Sequence, residues 1–186
     1  MNLVVGITGA SGAWAARLLL EKSPWPVALV VSDAGRSVYE KEVGSFADLK
    51  MIAAETWSNT DLSAPLASGS VPTRGIVILP CSTNTMGKIA ASISDSLIAR
   101  AAHCHLKENR PLVLGVRETP WSLPNLRAAE TVVAAGGTIM PLSPPFYMFN
   151  DRDPATVSMH ELLTAYVERV LALLGAKPKT TWADIR

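Results

Sequence analysis

The chain is poor in the features that mark several large classes of protein. Its 186 residues include two cysteines, Cys81 and Cys104, too few and too casually placed for a disulfide framework and suited to a reducing compartment. Charge is balanced, with 17 basic against 16 acidic residues and a net charge of +1. No basic block is present to neutralise a nucleic-acid backbone or to dock on an anionic membrane. No apolar run is long enough to span a bilayer, and the chain enters a strand pattern at once, without a charged leader and cleavage site. A cytoplasmic protein is expected. What is plentiful is hydrophobic: 48% of the residues, enough for one domain with a buried core. Low charge and positive mean hydropathy also point to apolar surface covered by other subunits.

Continuous apolar runs suit parallel strands buried on both faces, and they recur at Leu3 to Ile7, Val27 to Val31, Gly75 to Leu79, Leu112 to Val116 and Thr138 to Met140. Helical patterns fit between them, from Ser11 to Lys22, Ala34 to Val43, Thr85 to Ala91, Ser96 to Leu106, Leu123 to Ala135 and Val157 to Leu174. This alternation predicts a three-layer, doubly wound α/β fold with a mostly parallel sheet, of flavodoxin-like or Rossmann-like type. Residues 1–175 are expected to form one domain and 176–186 a C-terminal tail. The stretch from Asp48 to Thr73 reads as a short helix, Asp48 to Glu55, followed by a polar loop through Ala67-Ser68-Gly69-Ser70.

In open α/β sheets the ligand lies beyond the carboxyl ends of the strands, so the strand-to-helix turns carry the functional reading. The first, Gly6-Ile7-Thr8-Gly9-Ala10-Ser11-Gly12, joins an apolar strand to a helix through small residues. It reads as a phosphate cradle for a mononucleotide, the unpaired N–H groups of the helix's first turn attracting the anion. It is neither a spaced G-x-G-x-x-G nor a P-loop. The later turns are Ser32-Asp33, Pro80-Cys81-Ser82-Thr83-Asn84-Thr85 and Arg117-Glu118-Thr119-Pro120, and Pro145-Phe146-Tyr147 follows the last strand. Hydroxyls, an amide, an arginine, a glutamate and a tyrosine thus converge on one edge. His103, Cys104 and His105 are consecutive helical residues that point in different directions, so no metal site is expected. Cys81 reads as a packed residue rather than a nucleophile.

These turns, together with Ala64-Pro65-Leu66-Ala67-Ser68-Gly69-Ser70, Leu97-Ile98-Ala99-Arg100-Ala101-Ala102 and Leu106-Lys107-Glu108, resemble the UbiX/Pad family of flavin prenyltransferases. They occur in family order along nearly the whole chain. The resemblance implies a homododecamer that binds FMN between subunits and joins a dimethylallyl group, from dimethylallyl monophosphate or the diphosphate, to N5 and C6 of reduced FMN. No metal is implied, and the prenylated FMN would pass to a UbiD-type decarboxylase. By family position, Gly9, Ala10, Ser11, Ser32, Ser82, Thr83, Asn84, Thr85 and Arg117 would contact FMN. Lys107, Tyr147 and Arg169 would hold the prenyl phosphate, with Arg100 nearby. Glu118 would move the proton, Glu42 would assist or orient, and Ser11 would face the flavin N5 edge.

The residue chemistry agrees with that reading. An allylic phosphate leaves as a carbocation forms, which calls for cationic and hydrogen-bonding groups around the phosphate and shelter from water. Lys107, Arg117, Arg169 and the Tyr147 hydroxyl are suitable donors. Glu118 is otherwise a helix-terminal acid that complements a dipole. Three departures from the family pattern stand out: Trp14 after the first turn, Asn84 in place of a common lysine, and a longer, more polar segment from Met148 to Ser158. The last leaves the phosphate charge to either Arg169 or Arg152. Two other functions compete. Cysteine-decarboxylating flavoproteins need a histidine after an early helix, and none precedes His103; a non-catalytic FMN-storage subunit would not need Lys107, Glu118 and Tyr147.

Overall fold

The computed structural model describes residues 1–150, 152–178 and 181–185, the side chains of 182 and 185 excepted. Six parallel strands form one sheet: β1 (Leu3–Ile7), β2 (Val27–Val31), β3 (Glu55–Ser58), β4 (Gly75–Cys81), β5 (Leu112–Val116) and β6 (Thr138–Ile139). Their order is β3-β2-β1-β4-β5-β6, so the direction of winding reverses between β1 and β4. The five apolar runs all became strands. β3 is the exception, an edge strand of alternating burial that falls at the end of the expected Asp48 to Glu55 helix.

Seven α-helices cover the sheet: α1 (Ala13–Lys22), α2 (Asp33–Glu42), α3 (Phe46–Ile52), α4 (Thr83–Ala90), α5 (Leu97–Lys107), α6 (Leu123–Ala134) and α7 (Met159–Leu173). On one face Leu18, Leu19, Tyr39, Leu49, Val167 and Val170 pack on Val5, Leu29 and Val77. On the other, Met86, Ile89, Ile98, Ala101 and Val132 pack on Val4, Ile76 and Leu114. Because a parallel strand is covered on both sides, its sequence is a continuous apolar run, and this is why these strands were legible. None of the helices is long and apolar enough to cross a membrane, among the described residues.

Serine starts six of the seven helices. Ser32, Ser45, Ser82, Ser96, Ser122 and Ser158 each accept a hydrogen bond from a backbone N–H of the first turn, which satisfies one of the donors a helix leaves free. The first helix has no such cap: Gly12 precedes it in the left-handed region, at φ 107°, where glycine is favoured. A Cβ at Gly12 would also lie 2.3 Å from Leu142 Cδ2.

The outer layer is tied to the sheet through Tyr166, a fully buried residue of α7 whose hydroxyl donates to the Met140 carbonyl at 2.7 Å, just past β6. Burial pushes that phenol's pKa up, so it stays protonated and a donor. Replacing Tyr166 with Phe leaves the carbonyl without its partner and should lower the unfolding free energy by about 1–2 kcal/mol. Urea titration measures this, and an unchanged midpoint would show the bond to be without consequence.

Candidate active site

The crevice at the winding reversal is assembled by one hydroxyl. Thr8, 2% exposed, donates through Oγ1 to the Pro80 carbonyl at 3.0 Å and accepts from the Ser82 N–H at 2.8 Å, which locks the turn after β1 to the turn after β4. The turn after β2 closes against the same place. A Cβ on Gly9 would sit 2.7 Å from Ala34 Cβ, and one on Gly35 2.5 Å from the Ile7 carbonyl oxygen, so only glycine permits this approach of α2 to the end of β1.

Between these turns lies a cavity of about 110 Å³ whose wall includes Thr8, Ser32, Asn59, Asn84, Thr85 and Lys88. Three expected flavin contacts, Ser32, Asn84 and Thr85, therefore meet. Ser32 and Ser82 also cap their helices, and Ser82 Oγ pairs with Thr85 Oγ1 at 3.0 Å. Thr8, Asn59 and Lys88 were not singled out from sequence. Asn59 comes from the turn after the short edge strand that the sequence hid, whereas Lys88 follows Asn84 by four residues in α4, a spacing that does put two side chains on one helical face.

The N-terminus of α1 corrects the reading of the first turn. Its free donors, the N–H groups of Gly12 and Ala13, both point to Glu42 Oε2, at 2.9 and 2.8 Å. These two donors thus serve the protein's own carboxylate rather than an outside anion. Partial burial works to raise the Glu42 pKa. The Ala13 N–H, the Ser11 hydroxyl, the Gly12 N–H and the nearby Arg117 charge outweigh it and hold the carboxyl below its ordinary value. Ser11, Glu42 and Arg117 are thus one electrostatic cluster. Gly9 and Ala10 form the turn beside it.

Arg117 and Glu118 follow β5. The Arg117 N–H donates to the Cys81 carbonyl at 3.2 Å, while its side-chain Nε is buried without a hydrogen-bond partner. Glu118 receives the Thr83 hydroxyl on Oε2 at 3.4 Å and the Thr119 N–H on Oε1 at 3.0 Å, and its carbonyl takes the Trp121 indole N–H at 2.9 Å. Trp121 is therefore a brace for this turn. A buried guanidinium donor with no partner and a polar cavity lined by hydroxyls and amides fit FMN, with Arg117, Ser11, Thr83 and Thr85 among the residues that would hold it.

Other expected residues lie elsewhere on the chain. Lys107 ends α5, at the sheet edge opposite Glu118 and about one strand length, roughly 16 Å, away. There it pairs with Glu108 at 3.0 Å and touches the Gly69 loop. Tyr147 and Arg169 line a common cavity of about 240 Å³ on the outer side of α7. Arg152 is used differently: it pairs with Glu161 at 2.5 Å, which lowers that carboxyl's pKa to about 2, and it donates to the Thr156 carbonyl. Of the two arginines, Arg169 is the one beside Tyr147. Arg100 Nε donates to the Ala67 carbonyl at 2.9 Å and fastens the Ala67 loop to α5.

Both cysteines and His105 are occupied by the fold, whereas His103 Nε2 is buried without a hydrogen-bond partner. Cys81 is buried, and desolvation pushes its thiol up to about 12, which keeps it protonated and unreactive. Cys104 Sγ faces the Ala67 carbonyl, and His105, 2% exposed, is held between the Ala101 carbonyl and the Thr73 hydroxyl.

Residues 1–170 match the family model described as Flavoprotein. Among curated proteins, the flavin prenyltransferase UbiX of Deinococcus radiodurans is 42% identical over 178 residues, covering 94% of this chain and 88% of its own. Among solved structures, AnUbiX (PadA1) in complex with FMN and dimethylallyl pyrophosphate superposes with a TM-score of 0.90 at 32% identity, covering 97% of this chain and 96% of that one. A dodecameric FMN-dependent UbiX-like decarboxylase from Escherichia coli O157:H7 gives 0.88 at 33% identity, covering 97% and 98%. With the strand-end crevice, the serine-capped turns and these similarities over nearly its full length, the chain belongs to the UbiX family of flavin prenyltransferases.

Proposed function

We propose that this protein transfers a dimethylallyl group from dimethylallyl monophosphate or diphosphate to N5 and C6 of reduced FMN, and that the product serves a UbiD-type decarboxylase. The observation that carries the reading is the convergence of Ser11, Glu42, Arg117 and Glu118 on one strand-end crevice. It is supported by the relatives' names and by the FMN and dimethylallyl pyrophosphate named for the structural neighbour. Two free buried cysteines suit work in the cytoplasm.

Reduced FMN supplies the electron-rich N5 and C6 positions, and the residues of this chain supply placement and proton handling. Arg117 offers its unpartnered Nε donor to the bound flavin. Glu42, kept ionised by the amides of α1, fixes the Ser11 hydroxyl at the N5 edge. Glu118, its carboxylate held by one donor on each oxygen, would relay protons as the second bond closes: the alkene carbon next to the new bond gains one as the double bond opens, and C6 loses one. Lys107, Tyr147 and Arg169 neutralise the departing phosphate. Since Lys107 and the Tyr147–Arg169 pair stand away from Glu118 on one chain, neighbouring copies complete each site, in a homododecamer like the dodecameric relative.

Anaerobic incubation with reduced FMN and dimethylallyl monophosphate should raise the flavin's mass by one C5 unit. Unaltered flavin with every donor tried, alongside tight FMN binding, would leave a storage protein instead. Glu118→Gln should keep FMN and slow turnover by about a hundredfold or more; an undiminished rate removes Glu118 from the proton's path. Lys107→Met and Glu118→Gln chains, each impaired alone, should recover activity when co-expressed as mixed oligomers, because some sites then draw both native residues from different chains. Absence of any recovery would count against shared sites.

A further inference from the structure

The cavity between the turns after β1, β2 and β4 is lined by hydroxyls and amides, and Lys88 is the single cation among its described lining residues. Lys88 lies three and four residues beyond Thr85 and Asn84, so all three share one face of α4. Its ammonium is not wholly committed to the cavity. Nζ sits 2.7 Å from Asp95 Oδ2, in a pair whose side chains are 33% and 51% exposed. Asp95 belongs to the tight connection from α4 to α5, where Ser92 has φ 58° and the Ile93 N–H returns to the Lys88 carbonyl at 2.9 Å. Asp95 immediately precedes Ser96, a wall residue of the cavity, and its carboxylate engages the one cation among that wall's described residues.

We propose that Lys88 is the residue that discriminates for the phosphate of the flavin mononucleotide, and that Asp95 is a built-in competitor for it. The proposal rests on the reading that FMN binds with Ser32, Asn84 and Thr85. An exposed lysine–carboxylate pair is weak. A phosphate monoester carries close to two negative charges at neutral pH and offers three acceptor oxygens. Lysine is a flexible point charge with three donors, so its ammonium turns from Asp95 to the phosphate without any movement of the backbone. Asp95 then weakens binding in proportion to its hold on Lys88, and it leaves an uncharged flavin unaffected.

Riboflavin shares the ring and ribityl chain of FMN and lacks the phosphate, so the comparison isolates this contact. Flavin fluorescence quenching gives both dissociation constants, at low and at moderate salt. Lys88→Met should weaken FMN roughly tenfold while leaving riboflavin unchanged, Lys88→Arg should retain most of the FMN affinity, and Asp95→Asn should tighten FMN alone. Equal weakening of FMN and riboflavin by Lys88→Met, no weakening of either, or weaker FMN binding in Asp95→Asn would each overturn the proposal. Failure of the unmodified protein to bind FMN would instead overturn the flavin reading beneath it, and prenyl transfer with an unaltered FMN affinity in Lys88→Met would overturn only the role of Lys88.

Discussion

One buried hydroxyl holds the functional edge together. Thr8 is the bridge between strands that are adjacent in space but 72 residues apart in sequence, donating to the Pro80 carbonyl and receiving the Ser82 N–H. Pro80 lies near the end of β4 and Ser82 in the turn beyond it, at the reversal of winding, and the Thr8 N–H also donates to the Pro80 carbonyl, at 3.1 Å, so backbone and side chain of one residue make this tie together. A hydroxyl, which can donate and accept at once, serves both the carbonyl and the N–H. The position of Ser82, the start of α4 and hence the place of Thr83, Asn84 and Thr85 all follow from that contact.

A second constraint is electrostatic. Six helices begin with serine, and the seventh, α1, borrows Glu42 from the end of α2. Bringing a carboxylate partly out of water is costly, and the offset comes from two backbone N–H groups, a serine hydroxyl and an arginine. The exchange leaves Ser11 and Arg117 oriented around a fixed negative charge at the lip of the crevice. A helix terminus that would attract any anion is thus occupied by the protein's own carboxylate, and the neighbouring cavity is walled by Ser32, Asn84 and Thr85.

Much of this was written in local patterns. Val27-Ala28-Leu29-Val30-Val31, short and rich in β-branched residues, reads as a strand buried on both faces, and a serine before six of the seven helices marks where they begin. Glu55-Thr56-Trp57-Ser58 was not legible, because an edge strand with one covered face and four residues offers too little periodicity to separate it from the loop that follows. The tie between Glu42 and Gly12 spans 30 residues and depends on how α2 crosses α1, a packing outcome with no local signature. The location of Lys107 is readable in retrospect. Helix α5 runs antiparallel to the strands, so its last residue must lie at the edge where β5 begins, away from the turn that ends it.

The chain beyond β6 makes a lever of the fold's outer layer. Met140 gives its carbonyl to the Tyr166 hydroxyl in the buried face of α7, and two residues later the Leu142 N–H bonds to Val116 while its side chain rests on Gly12. A chain of direct contacts thus joins α7 to the start of α1 through Met140 and Leu142. Because close-packed interiors pass strain on, a change of side-chain volume at Val167 or Val170, in the layer beneath that chain, would be felt at the crevice without altering a residue that lines it.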